Sequence, residues 1–346
     1  MANKSLMARS FDTEKLDFSG DPVTVAEDAV YEPMYSNAAL SASGSGVLLY
    51  MTGNSSEDVQ LQVLDPAGNS VAKLGEPGRI LSPRISPDGK SVAFSLIDSN
   101  TGKADIWTHD LSSGNRTRIT RDTRASGSPT WSRNSSNIFY VSIRVSNRPA
   151  TFKMPSSGMG TEQKVWQPTN YGWPDDVTPD SNALLVEERS ADGKSRISLL
   201  PLGNDQATIL LEAPGASVFG GSLSNDGRWI AYESDESGKR EVYLSSFPKP
   251  TGRLQVSSEG GRAPKWRGDG KELYYVDPKS HVVAVELKAS NGSVEVVRRR
   301  PLFQIQRLGN GYDVFPDGKR FLITVSKTDT PAPLSLVLNW TADLKK

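Results

Sequence analysis

Four stretches of the chain share one polarity pattern. They are SVAFSL from Ser91, NIFYVS from Asn137, WIAYES from Trp229 and ELYYVD from Glu272. Aromatic and β-branched residues recur in them at period two, which predicts short strands. A segment such as SPRIS leads into each strand through a tight turn, commonly Asp-Gly, where positive φ suits Gly. A second strand follows a polar hairpin, as in ADIWTHDL after DSNTGK and REVYLSSF after DESGK. A last strand closes the unit, as in TRITRD and RLQVSS. No stretch shows a sustained helical period.

The turn recurs seven times, anchored at Ser43, Ser86, Ser132, Thr178, Ser224, Arg267 and Phe315, at spacings of 43 to 48 residues. Four antiparallel strands about every 45 residues describe the blade of a β-propeller. A blade is a twisted sheet with two apolar faces that it cannot cover alone, and closure into a ring covers both. The expected fold is therefore an all-β propeller of four-stranded antiparallel blades in a single domain over residues 1–346. Seven copies predict seven blades, with six or eight as alternatives. The chain enters and leaves in mid-blade. SLMARSFDTEKLDFSGDPVTVAE resembles the middle of a blade such as the one from His281. Residues 1–30 are therefore expected to supply closing strands to a composite last blade at 313–346.

The repeats ISPDGKSVAFS and SNDGRWIAYESDESGKREVYLSSFP resemble the TolB-like, WD-repeat-like propeller family. SLMARSFDTEKL, GGRAPKWRGDGKELYYV and LSLVLNWTADLKK, taken in that order, resemble the C-terminal propeller of acidobacterial serine/threonine protein kinases. The resemblance covers nearly the whole chain. It implies an extracytoplasmic, periplasmic module for sensing or protein interaction, joined in the parent protein to a membrane span and a kinase domain. A stand-alone protein would instead be cytoplasmic. The chain has no HRD, no DFG and no Gly-rich loop with a strand Lys, so the kinase residues have no counterpart. GSGV at Gly44 falls in the turn column of the repeat and is not a phosphate loop.

Composition narrows the partners. Forty basic and forty acidic residues give a formal net charge of zero, so nothing favours a nucleic acid. No apolar run approaches the roughly 18 residues that cross a bilayer. The first residues lack the apolar core of a signal peptide, so an exported parent would carry its export segment outside this chain. The absence of cysteine excludes disulfides, thiolate metal sites and a cysteine nucleophile.

Candidate chemistry is sparse. The two histidines, His109 and His281, sit in blade strands without a serine elbow, which reads as packing or surface. Asp88, Asp180, Asp226, Asp269 and Asp317 recur in the turns, where a carboxylate accepts backbone N–H groups. That role explains them without metal, and no cofactor is expected. SNDGRW at Ser224 approaches an Asp-box, itself a structural turn. Asp175 and Asp176 are adjacent in a strand and point to opposite faces, so they do not act as an acid/base pair. Trp131 and Trp266 precede their turns, where packing between blades is expected.

The segments that enter the inner strands differ between copies and are expected to surround one mouth of the channel. Tyr171, Trp173, Asp175, Phe219, Arg262 and Tyr312 are the candidate binding residues there, because aromatics and Arg dominate contact sites. The alternative is that these rings wedge between blades. The expected activity is non-catalytic binding of a protein or small-molecule ligand. A propeller hydrolase or lyase with a channel-mouth site, and a structural assembly scaffold, are the alternatives.

Overall fold

The computed structural model describes residues 5–27, 29, 31–32, 37–38, 40–52, 58–99, 101–121, 125–143, 148–290, 292–305, 311–327 and 333–342. Every regular element of more than one turn among them is a β-strand. The chain divides into two compact units. One comprises Met1–Asp58, Asp98–Lys103 and Lys327–Lys346; the other comprises Val59–Ile97 and Ala104–Ser326.

The larger unit is a ring of antiparallel sheets. Its first blade runs from the inner strand at residues 79–85 through Ser91–Ile97 and Ala104–Asp110 to Arg116–Arg118. The second to fifth blades follow in sequence. Their inner strands are Ala125–Trp131, Gly172–Val177, Val218–Leu223 and Arg262–Trp266, each the first strand of a four-stranded sheet. The sixth is composite. Tyr312–Val314 pairs with Phe321–Ser326, which pairs with Val59–Leu64, which pairs with the first half of Ser70–Ile85. The second half of that long strand is already the inner strand of the first blade.

Period-two patterning explains the ring. Consecutive residues of a strand leave opposite faces of the sheet, so each blade donates one set to each neighbour. Leu184 packs with Phe139 and Trp166 of the second blade, while Leu185 packs with Ile230 and Tyr232 of the fourth. Tyr274 packs towards Phe321 of the sixth blade, and Tyr275 towards Val242 and Leu244 of the fourth. The last seam joins Leu61, Val63 and Leu322 to Ile80, Val92 and Phe94. Every blade is thus covered on both faces, which is why the strands read as runs of apolar residues.

The smaller unit holds a hairpin of Leu6–Asp12 with Asp17–Ala26, and a three-stranded sheet of Leu40–Ala42, Val47–Met51 and Leu334–Leu338. Leu48, Tyr50, Ala26 and Ala29 form its core.

Three expectations change. Among the described residues the ring contains six four-stranded sheets, and the seventh copy, at Ser43, lies in the three-stranded sheet of the other unit. Among the described residues the two strands expected to close the last blade, Leu6–Asp12 and Asp17–Ala26, pair with each other, and Val59–Leu64 takes the free edge of Phe321–Ser326. The alternation in VQLQVL places Leu61 in a buried seam. The tail after Ser326 leaves that blade, because Leu334–Leu338 pairs with Val47–Met51. A single domain with a composite blade at 313–346 is therefore replaced by two units and a composite blade of 312–326 with 59–78.

Candidate functional site

The recurring turns are built alike. Ser224 Oγ donates to Asp226 Oδ1 at 2.6 Å and accepts the Trp229 N–H at 3.0 Å, and Arg228 N donates to Asp226 Oδ1 at 3.1 Å. Ser86 with Asp88, Ser132 with Asn134, and Thr178 with Asp180 repeat this arrangement. The N–H and O–H donors hold the Asp88, Asp180 and Asp226 carboxyls below the usual carboxylate range against partial burial. These carboxylates are structural.

A cavity of about 140 Å³ lies where the inner strands run into the turns. Each blade supplies a residue from one register position: Arg84, Thr130, Asp176, Ser222, Lys265 and Asp313. The carboxylates there are committed to neighbouring blades. Asp313 Oδ2 accepts the Ile85 N–H at 2.8 Å, Asp176 Oδ2 accepts Leu223 N–H at 2.8 Å, and Asp175 Oδ2 accepts Gly221 N–H at 3.0 Å. Arg133 bridges Asp176 at 3.2 Å and donates to Val177 O and Asn225 Oδ1. Lys265 Nζ stands 4.0 Å from Asp313 Oδ1. Burial raises the Asp175 pKa well above the ordinary value, helped by Glu187, and burial also raises that of Asp313 against the pull of Arg84. Trp131 and Trp266 line the same cavity and tie the blades, donating from Nε1 to Arg84 O at 3.0 Å and Ser222 O at 3.1 Å.

Of the six residues expected at the mouth, only Asp175 lines this cavity. Trp173, Phe219 and Arg262 occupy one register position at the opposite, starting end of the inner strands, in the third, fourth and fifth blades. A bulge in each strand takes up one of the three residues between, so that level lies two residues of the paired strand, about 7 Å, from the cavity level. Tyr171 precedes its strand and is 60% exposed. Trp173 and Phe219 are half-buried, Arg262 is exposed, and none joins an interblade core. Arg240 lies 3.9 Å from the Phe219 ring centroid and 3.5 Å from Glu233. Glu187 and Glu233 sit across from Trp173 and Phe219 and accept the Gly220 and Ala263 N–H groups, and burial raises both pKa values. Tyr312 is different. It is 2% exposed, packs in the seam of the fifth and sixth blades and donates to Ala263 O at 2.8 Å. For this ring the wedge reading is the observed one. The entering loop of this blade, at residues 306–310, lies outside the described residues.

Sequence reasoning passed over Arg84 and Lys265. The signal was present: their column is polar and varies between copies beside a turn that does not. His109 is buried, and burial lowers its pKa; His281 bonds Asp277 at the start of its strand. Neither faces the cavity. Among the described residues no three His, Asp or Glu side chains converge as metal ligands.

Six four-stranded antiparallel sheets around a lined axial cavity define a β-propeller. Residues 16–217 match the TolB beta propeller domain family, and the chain belongs to that family. The Tol-Pal system protein TolB of Alcanivorax borkumensis is 29% identical over 117 residues, which cover 32% of this chain and 26% of that protein. The match thus spans about a quarter of the curated relative's length. The putative TolB from Agrobacterium tumefaciens superposes with a TM-score of 0.60 at 16% identity, over 79% of this chain and 99% of its own. TolB from Acinetobacter baumannii gives 0.54 at 17% identity, over 80% and 65%. The β-propeller domain of the Trilobed protease from Pyrococcus furiosus gives 0.51 at 16% identity, over 84% and 95%. At these identities the solved structures speak to fold alone.

Proposed function

We propose that this propeller is a non-catalytic recognition module that binds a protein partner across the starting ends of the inner strands of its third to fifth blades. One observation carries the reading: Trp173 and Phe219 stand at one level on adjacent blades, partly accessible and outside every apolar seam, with Arg262 at the same level and Tyr171 exposed beside them. Aromatic and Arg side chains kept at the surface in such a cluster suit a contact centre. The carboxylates of the first two strands of the blades favour binding over turnover, because Asp175, Asp176, Asp313, Glu187 and Glu233 each hold a backbone N–H of a neighbouring blade. The resemblance to kinase-associated propellers supports a sensor role in a receptor-type serine/threonine kinase, with this module outside the cytoplasm.

Selection of a random peptide library on the full chain tests the reading. Selected peptides should lose at least tenfold in affinity against Trp173→Ala and Arg262→Ala, with the melting temperatures of both variants close to that of the parent chain. Peptides that bind both variants as tightly as the parent would contradict it, as would turnover of a bound peptide.

A further inference from the structure

Among the described residues, the cavity at the turn end of the strands holds a guanidinium with no hydrogen-bond partner. Among the described residues the Arg84 guanidinium makes no hydrogen bond and no ion pair, although its backbone carbonyl is engaged by Trp131. The side chain is half-buried and lines the cavity, and its charge acts on both Asp175 and Asp313. Neither carboxylate closes on it. Asp175 turns an oxygen to Gly221 N, and Asp313 divides its two oxygens between the N–H groups of Ile85 and Val314.

Lys265 is similarly underused. Its ammonium carries three donors, and its nearest acid, Asp313 Oδ1, is 4.0 Å away, beyond hydrogen-bonding reach. Asp313 lies on the blade between those of Arg84 and Lys265, so the two cations flank it. Arg133, the third cation of the cavity, is already fixed by Asp176, Val177 and Asn225. A planar five-donor fork and an ammonium therefore open onto a space of about 140 Å³, which at about 30 Å³ each is room for four or five waters. A carboxylate matches that fork through two parallel hydrogen bonds.

We propose that this cavity binds a small carboxylate, held by the Arg84 guanidinium and the Lys265 ammonium. The site stands apart from the aromatic cluster at the other end of the strands, and either can fail without the other. The carboxylates of the cavity, Asp175, Asp176 and Asp313, each hold a backbone N–H, which leaves the donors of Arg84 and Lys265 to one further negative charge.

The test is the melting temperature of the full chain titrated with sodium acetate, against sodium chloride at equal ionic strength and against neutral acetamide. A ligand that binds only the folded state raises the melting temperature saturably. The expected result is a saturable shift with acetate and none with acetamide, lost in Arg84→Gln and at least tenfold weaker in apparent affinity in Lys265→Gln. Among the described residues the Arg84 side chain makes no hydrogen bond, so the glutamine variant should fold; Arg84→Lys, which keeps the charge without the fork, serves as the second variant and should also bind at least tenfold more weakly. Equal shifts with acetate and chloride would overturn the proposal. So would an acetate shift that survives in Arg84→Gln, or inorganic phosphate binding more tightly than acetate.

Discussion

At the residue scale, the carboxylates of this protein fall into two electrostatic classes. Turn carboxylates are surrounded by donors: Arg267 holds the Asp269 pKa down to about 2, assisted by the Lys271 N–H. A carboxylate depressed in the folded state adds stability above its unfolded value, and that stability is lost as pH falls through the folded value. Asp269→Asn should therefore flatten the acid limb of stability between about pH 4 and pH 2, a difference measured by urea melts across that range. Inner-strand carboxylates are displaced the other way. Burial and the neighbouring Glu187 raise the Asp175 pKa, so the folded state holds its proton where the unfolded chain has released it. Stability then falls as pH rises from the ordinary carboxylate value through the raised one. Asp175→Asn keeps an acceptor for the Gly221 N–H and should reduce that decline; melting temperatures of the two proteins from pH 5 to pH 9 would show it. A parallel decline in both would contradict the assignment.

At the element scale, the turn and the seam decide how a blade sits. Ser224 is buried, and its hydroxyl serves both Asp226 and the Trp229 N–H. Ser224→Ala should cost about 1–3 kcal/mol, the range for an orphaned buried partner, read from equilibrium unfolding. Gly268 is constrained by a neighbour. A Cβ there would lie 2.7 Å from the carbonyl oxygen of Pro316, the same oxygen that accepts the Gly268 N–H at 3.0 Å. Backbone cannot rotate away as a side chain can, so Gly268→Ala should destabilise by about 1–3 kcal/mol and loosen the seam between the fifth and sixth blades. Amide exchange at Lys265 and Val314 would report the loosening. These elements were legible beforehand. Period-two runs gave the strands, Asp-Gly gave the turns, and the place of Trp131 and Trp266 before the turn pointed to the seams they fill. Tyr312 was less legible, because a tyrosine that wedges between blades and one that meets a ligand look alike until its hydroxyl partner is known.

At the scale of the molecule, pairing over long separations carries what the sequence could not show. The copy at Ser43 has the turn of a blade, yet its strands join Leu334–Leu338 in a unit of their own. The ring closes instead through Val59–Leu64, whose alternation differs little from that of other candidate edges. Strand order is a non-local property, and period two fixes faces but not partners. The cavity was hidden for the same reason. Arg84 and Lys265 are 181 positions apart and read singly as solvated strand residues; only the closed ring sets them either side of Asp313. The measurement that tests this closure most directly is oxidation of the double variant Gln60→Cys, Val325→Cys. These positions face each other across the closing pair, and the parent chain has no other cysteine. Opposed residues of an antiparallel pair are about 4.5–5.5 Å apart at Cα, within disulfide reach. A ring closed by this pair gives an intramolecular disulfide, with loss of both thiols to labelling, in the folded monomer. Two thiols that stay free under oxidation, in a chain with native β-sheet content, would contradict it.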